Sequence, residues 1–336
     1  MNRTAIPWTL TVLLALYVFG LEYLAKHQAS IDPSIEFYDT TKVKVMVFPE
    51  QEEGYYVFGQ FNNILEGSRE QVEAKQSDQE YTLTFEVNSP RPARLFVNDE
   101  VLEIFLVPGD TTLGVSVFLS PDTDLIDSVD FKGPLANVCS YYLDKAQRFG
   151  QIQVGRSLHL LSFEDMEVFA HQLDSMSNQE LAFLAEQEVF SSIPSWFAMF
   201  EKNEILYQRA YLKLSSVYNR QVSQGFLDEV LVNNPKGVFS YYYYLYLQVY
   251  FNSLESPRDF GSKPREDLFK QMSLADSLLS GGPKDVFMTR TIFGQITNKE
   301  KEGGKEVAQE LLDTYEKSFS SPKYVRFLEK EISELK

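Results

Sequence analysis

Between Thr41 and Phe131, apolar and polar residues alternate with a period of two. The stretches "TKVKVMVF", "YTLTFEV" and "TLGVSVF" alternate along their whole length. Successive side chains of a strand point to opposite faces, so this period predicts strands with one dry and one wet face. "EGYYVFGQF", "ARLFVN" and "VLEIFLV" alternate less strictly. They are rich in the aromatic and β-branched residues that suit a pleated surface. Turn-forming clusters ("EEG", "SPRP", "NDE", "PGD") separate the runs at intervals of about ten residues. The pattern predicts a small antiparallel, sandwich-like β domain over residues 41–135. Within it, Pro108-Gly109-Asp110 reads as a turn between strands. Proline presets the φ of the second turn position and glycine takes a positive φ at the third. A phosphate-gripping loop would need more glycines and a following helix N-terminus, and an alternating run follows instead.

After "FKGPLANVCSYYLDK" the period lengthens to 3.6, which predicts an irregular all-helical domain over residues 136–336. Ser162 with Asp165 and Ser177 with Glu180 have the spacing of helix starts, the second pair that of a capping box. Pro194 suits the first turn of a long helix whose apolar stripe includes Phe197, Phe200, Ile205, Ala210 and Leu214. Gly281-Gly282 marks a helix stop. No tetratricopeptide or HEAT consensus is present. The segment "VFSYYYYLYLQVYF" (Val238–Phe251) is apolar nearly all round, which predicts a helix buried among others; an aromatic groove for a ligand is the competing reading.

The chain opens differently. An apolar run from Ala5 to Leu21, extended by Tyr23 to Ala25, reaches the roughly twenty residues of a spanning helix, with Arg3 before it and Trp8 and Tyr23 near its ends. Residues 1–25 are therefore expected to be an N-terminal anchor helix and residues 26–40 a linker, with the body exported. A cleaved signal peptide is the rival reading, but no small-residue pair marks a cleavage site.

Charge and chemistry narrow the function. Lysines and arginines number 31 against 48 acids, a net charge of −17. Residues 29–136 hold 20 acids and 7 bases, so −13 of that charge lies there. Nucleic-acid binding needs clustered cations and is excluded on this ground. Cys139 is the single cysteine, so an internal disulfide, a Cys-x-x-Cys redox pair and a multi-cysteine zinc site are ruled out. Beside "YYL" on a helix it reads as a small apolar core residue. His159 and His171 belong to no metal or catalytic spacing. Asp122, Asp124, Asp127 and Asp130 lack the glycine and closing glutamate of a calcium loop and read as a solvated surface. No catalytic, cofactor-binding or metal-binding residue is assigned, and no cofactor is expected.

The stretch "IFLVPGDTTLGVSV" followed by "VDFKGPLANVCSYYLDK" resembles the region upstream of the thioredoxin-like domain in envelope disulfide reductases of Bacteroidetes, of the TlpA-like or AhpC/TSA type. In that family a small β domain carries a Pro-Gly-Asp turn. A phenylalanine, a glycine and an alanine-asparagine, here Phe131, Gly133, Ala136 and Asn137, lead into helices, here including "NEILYQRA" and "YYYYLYL". The similarity spans about Thr41 to Lys336. It implies an α+β architecture and a bacterial envelope location. It transfers no catalytic role, because neither Trp8 nor Trp196 has a cysteine beside it.

The expected function is that of a membrane-tethered, non-catalytic extracytoplasmic binding or scaffold protein, attached to the membrane by its N-terminal helix and meeting a protein partner or an envelope ligand. One alternative is an accessory subunit of a separately encoded thioredoxin-like reductase. Another is a hydrolase using carboxylates such as Asp122 and Asp124. A binding module would place its site at the junction of the β domain and the helices, bordered by Phe131–Tyr142.

Overall fold

The computed structural model describes residues 39–48, 55–65, 67, 69–77, 80–87, 89–109, 111–120, 126–150, 166–190, 193–216, 230–254, 264–297 and 303–334. The expected anchor and most of the expected linker, with Asp110, Asp122, Asp124, His159, Ser162 and Asp165, lie outside the described residues. Among the described residues, no helix is long and apolar enough to cross a membrane.

The fold is α+β: two small, mostly antiparallel sheets precede a helical region. Among the described residues nine strands run in chain order: β1 (Asp39–Phe48), β2 (Val57–Asn62), β3 (Arg69–Glu73), β4 (Lys75–Ser77), β5 (Glu80–Val87), β6 (Arg91–Val97), β7 (Glu100–Leu106), β8 (Thr111–Leu119) and β9 (Ile126–Lys132). The first sheet has the order β4-β5-β1-β8-β9 and the second β3-β2-β6-β7. Alternation decides each face. In β6, Arg91, Ala93, Leu95 and Val97 are buried, while the residues between them are half-buried. The inner faces meet closely at Gly59, where an added Cβ would stand 2.3 Å from the Phe85 ring.

One pairing departs from the antiparallel expectation. β1 and β8 run parallel, with Val43 opposite Leu113 and Val45 opposite Val115. The period of two reports faces and not direction. The cause is the connection at Pro108-Gly109. Gly109 does adopt a positive φ of 119°, but β7 and β8 belong to different sheets. The turn therefore carries the chain across rather than folding a hairpin. Strands β2–β7 serve as the long crossover that parallel neighbours require. A true hairpin joins β6 to β7, where Asn98 takes φ 52° in a two-residue turn.

The helices are α1 (Ala136–Phe149), α2 (Met166–Phe190), α3 (Ser195–Ser216), α4 (Tyr241–Leu254), α5 (Pro264–Leu278), α6 (Gly282–Thr297), α7 (Gly304–Tyr315) and α8 (Pro322–Glu334). The capping-box reading of Ser177 and Glu180 is corrected, because both lie inside the 25-residue α2 and both are buried. Tertiary contact, described below, explains the polar pair where local spacing suggested a helix end. Pro194 stands just ahead of α3, and its carbonyl accepts from the N–H groups of Phe197 and Ala198. Phe197, Phe200, Ile205, Ala210 and Leu214 are all buried. Gly281 breaks the chain after α5 with φ 58°, while Gly282 already opens α6.

Among the described residues two large apolar cores result, beside a small cluster of Phe169, Leu173 and Leu212 between α2 and α3. One joins both sheets to α1, α2 and the first half of α3. The other joins the second half of α3 to α4–α8 and also takes in Ile64 and Leu65, which follow β2.

Gly133 turns the chain from β9 into α1. Its φ is 109°, and a Cβ there would sit 2.6 Å from the Thr112 carbonyl oxygen. Gly109 has a similar φ with open space around it. Gly133→Ala is expected to cost about 2–4 kcal/mol in denaturant unfolding, against about 1 kcal/mol for Gly109→Ala, because only the first adds a backbone clash to the strain. Equal costs would refute that difference.

Candidate functional site

The outward face of the second sheet is built in rows across the strands. One row is Asn62, Pro92 and Phe105, the next Gln71, Gln60, Arg94 and Glu103, and the third Glu73, Phe58, Phe96 and Val101. Helices α1 and α3 cover the first row. Phe105 lies with its ring centroid 5.3 Å from that of Phe197 and 5.1 Å from that of Phe200, edge-on to both, and it stacks on Tyr142 at 6.2 Å. Beyond this aromatic plug the helices lift off the sheet, and a cavity of about 680 Å³ opens. Gln60, Asn62, Arg94 and Glu103 form its sheet wall. Tyr142, Lys145, Ala146 and Phe149 come from one face of α1, and Glu201, Glu204, Ile205 and Gln208 from one face of α3. Both sets follow the i, i+3, i+4, i+7 spacing of one helix face. Tyr241 and Tyr242, at the start of α4, close one side.

The inner end of the cavity is polar and fully engaged. Glu201, 2% exposed, accepts from the Tyr141 hydroxyl at 3.3 Å, the Tyr142 hydroxyl at 3.0 Å and the Lys145 ammonium at 2.8 Å. Lys145 also pairs with Glu180 at 2.7 Å. Burial alone would lower the Lys145 pKa; the pull of Glu201 and Glu180, with the hydrogen bonds to both, raises it above its ordinary value. Burial, reinforced by Glu201, pushes both tyrosine hydroxyls well above the ordinary phenol range.

Glu204 differs. Burial lifts its carboxyl from an ordinary 4.5 to about 8, and nearby Glu201 adds to the rise. The Tyr241 N–H, donating at 2.8 Å, the Ser240 side chain and Lys145 offset this only in part. Near neutral pH the cavity thus holds a protonated carboxyl, which can donate a hydrogen bond as well as accept one. One turn further along α3, Gln208 donates to the Tyr242 hydroxyl at 3.0 Å.

Phe131 and Tyr142, the two ends of the segment expected to border a junction site, both line the cavity. The aromatic run splits between the two readings given for it. Tyr243, Tyr244, Tyr246 and Tyr250 are buried in the second core, while Tyr241 and Tyr242 line the cavity. Cys139 is fully buried, and burial pushes its thiol up to about 12. A thiol held protonated in the core is a poor nucleophile. His171 is exposed on α2, Asp127 and Asp130 are exposed on β9, and among the described residues no group of acids, histidines or cysteines is placed to hold a metal ion. The Lys145–Glu180–Glu201 cluster and Glu204 were missed from sequence. A signal was there: Glu201 lies one turn after Phe197, on the apolar stripe of α3, where a charge implies a buried partner.

No protein-family model matches the chain, and no curated protein or solved structure is significantly similar to it.

The Glu204 carboxyl links stability to pH. Its folded pKa is raised, so its contribution is fully present below about pH 4.5 and is lost as pH rises toward about 8, where the folded chain must ionise a buried group. Urea midpoints of wild type and Glu204→Gln are expected to diverge across this range, with wild type losing roughly 1–3 kcal/mol more than the variant on going from pH 5 to 8.5. Parallel pH profiles would show that Glu204 does not titrate in this way.

Proposed function

We propose that this chain is a membrane-tethered, non-catalytic binding or scaffold module of the bacterial envelope, with a sandwich-like β domain and a helical domain exported together and a ligand or partner held at their junction. The single observation that carries the binding reading is the cavity of about 680 Å³, walled by the sheet and by α1, α3 and α4. Its size falls in the range of roughly 300–1,000 Å³ typical of ligand sites, and such sites favour the boundary between structural units. The tether and the envelope location are supported by the apolar run Ala5–Leu21 and by the resemblance in "IFLVPGDTTLGVSV". That resemblance also supports the accessory-subunit reading, in which the chain docks on a thioredoxin-like reductase and lends it no thiol.

Two measurements test the proposal. The full chain, expressed in a Gram-negative host, is expected in the membrane fraction with its N-terminus intact; a soluble protein beginning after residue 25 would refute the tether. Ala146→Trp places an indole in the cavity. An envelope component bound by wild type is expected to lose binding at least about tenfold in this variant, and to bind equally well at low and high salt, because the junction is not steered by the acidic charge of the β part. Undiminished binding by Ala146→Trp, or binding that collapses with salt, would move the site to the acidic sheet surface.

A further inference from the structure

Given the reading of the cavity as a ligand site, the placement of its charges narrows the ligand class. Four carboxyl groups line it (Glu103, Glu180, Glu201 and Glu204) against three cations (Arg69, Arg94 and Lys145). They are unevenly distributed. Arg94 stands directly opposite Glu103 in the β6–β7 register, and Arg69 is exposed on the edge strand β3. The inner end therefore has one ammonium for three carboxyls. Lys145 pairs with Glu180 at 2.7 Å and with Glu201 at 2.8 Å. Its pull on Glu204 is small beside the effect of burial. Away from water, an uncompensated charge is costly and an added opposite charge is correspondingly favourable. An anion would enlarge the excess of carboxyls, and a neutral ligand would leave it uncorrected. A cation would correct it.

The hydrogen-bonding groups agree. Glu204, Asn62 and Tyr241 line both the cavity and a smaller pocket of about 30 Å³ beside it, so the three meet at one corner. Gln208 lies one turn from Glu204 on the same face of α3. It donates an amide N–H to the Tyr242 hydroxyl at 3.0 Å, a bond that does not use its carbonyl oxygen. The Glu204 carboxyl accepts from the Tyr241 N–H at one oxygen, and a carboxylate has further lone pairs at the other. A primary ammonium, with three donors and no acceptor, matches such a corner. Val101, Leu143 and Phe149 also line the cavity and suit an apolar body attached to the amine. An ion pair formed inside is screened little by salt, in keeping with the salt independence expected of the junction.

We propose that the cavity binds an amphipathic primary amine, its ammonium seated between Glu204, Asn62 and Gln208 and its apolar body against Val101, Leu143 and Phe149. Calorimetric titration of the full chain with phenethylamine tests this, with 2-phenylethanol and 3-phenylpropanoate as the neutral and anionic counterparts. Phenethylamine is expected to bind, and the other two at least about tenfold more weakly. Glu204→Gln keeps an acceptor for the Tyr241 N–H but cannot carry the negative charge. It is expected to weaken the amine at least about tenfold.

The pH dependence gives a second readout. The charged and titratable groups around Glu204 are Glu201 on its own helix, Lys145 from α1, Tyr241 and Tyr242 from α4, and Arg91, Arg94 and Glu103 from the sheet. Burial lifts the Glu204 carboxyl to about 8, so an arriving ammonium must displace its proton. Wild-type affinity is thus expected to rise at least about tenfold from pH 6 to pH 8, while that of Glu204→Gln stays flat. No amine binding up to ~10 mM overturns the proposal. So does equal binding of the amine and the alcohol, or amine binding that Glu204→Gln leaves unchanged. If the alcohol or the carboxylate binds instead, and Ala146→Trp abolishes it, the cavity remains a ligand site for another chemistry. Silence from every probe overturns the amine only, because the binding of an envelope component to wild type and Ala146→Trp decides the site reading separately.

Discussion

Glu201 is a carboxylate held almost out of water, and the seam of the molecule is arranged around it. Burying a charge costs several kcal/mol unless partners replace its hydration. Here they are Tyr141, Tyr142 and Lys145, all from α1, and Lys145 is in turn held by Glu180 of α2. None of these groups can relax independently, because each satisfies another. The cluster fixes the rotation of α1 and α3 about their axes, and that rotation presents Phe197, Phe200 and Tyr142 to Phe105 on the sheet. The apolar plug contributes the burial energy; the polar cluster decides the orientation in which it is gained.

The same arrangement explains why a cavity survives at a site where apolar packing would otherwise close it. Beyond the plug, Lys145, Glu204 and Gln208 from the helices and Gln60, Arg94 and Glu103 from the sheet face the cavity, so drawing the walls together would cost these groups part of their hydration. Helix α3 belongs to both cores, its first half packing on the sheet side and its second on α4. A second tie braces the far wall. Ile64 and Leu65, leaving β2, insert into the helical core. Close by, Arg290 of α6 lies over the Tyr244 ring at 3.7 Å and within 5.1 Å of the Tyr241 ring. Gly67, at φ 70°, makes room, since a Cβ there would come within 3.0 Å of the Arg290 Nε. Tyr241, which borders the cavity, is thus held from behind by a cation and through its backbone N–H by Glu204.

Much of this was legible in the chain. Strands recognised from alternation, such as Tyr81–Val87 and Thr112–Phe118, appear where the period of two placed them, and the apolar stripe of α3 is buried as its spacing required. Period carries face but not partner. For that reason the parallel pairing of β1 with β8 was out of reach, and so was the passage of Pro108-Gly109 between sheets. The buried cluster was hidden for the same reason. Glu180 looked like half of a local capping box with Ser177, and only a contact 35 residues away, to Lys145, gives it its role. Glu204 could not be singled out from α3 alone, since its raised pKa comes from burial by neighbours on other elements.

The central claim is that Glu201 locks the helices onto the sheet and so shapes the site. Amide hydrogen exchange on Glu201→Ala tests it most directly. The account predicts faster exchange in β7 (Glu100–Leu106) together with α1 and α3, because the sheet and helices share one core through Phe105. Faster exchange confined to α3, with β7 protected as in wild type, would contradict it.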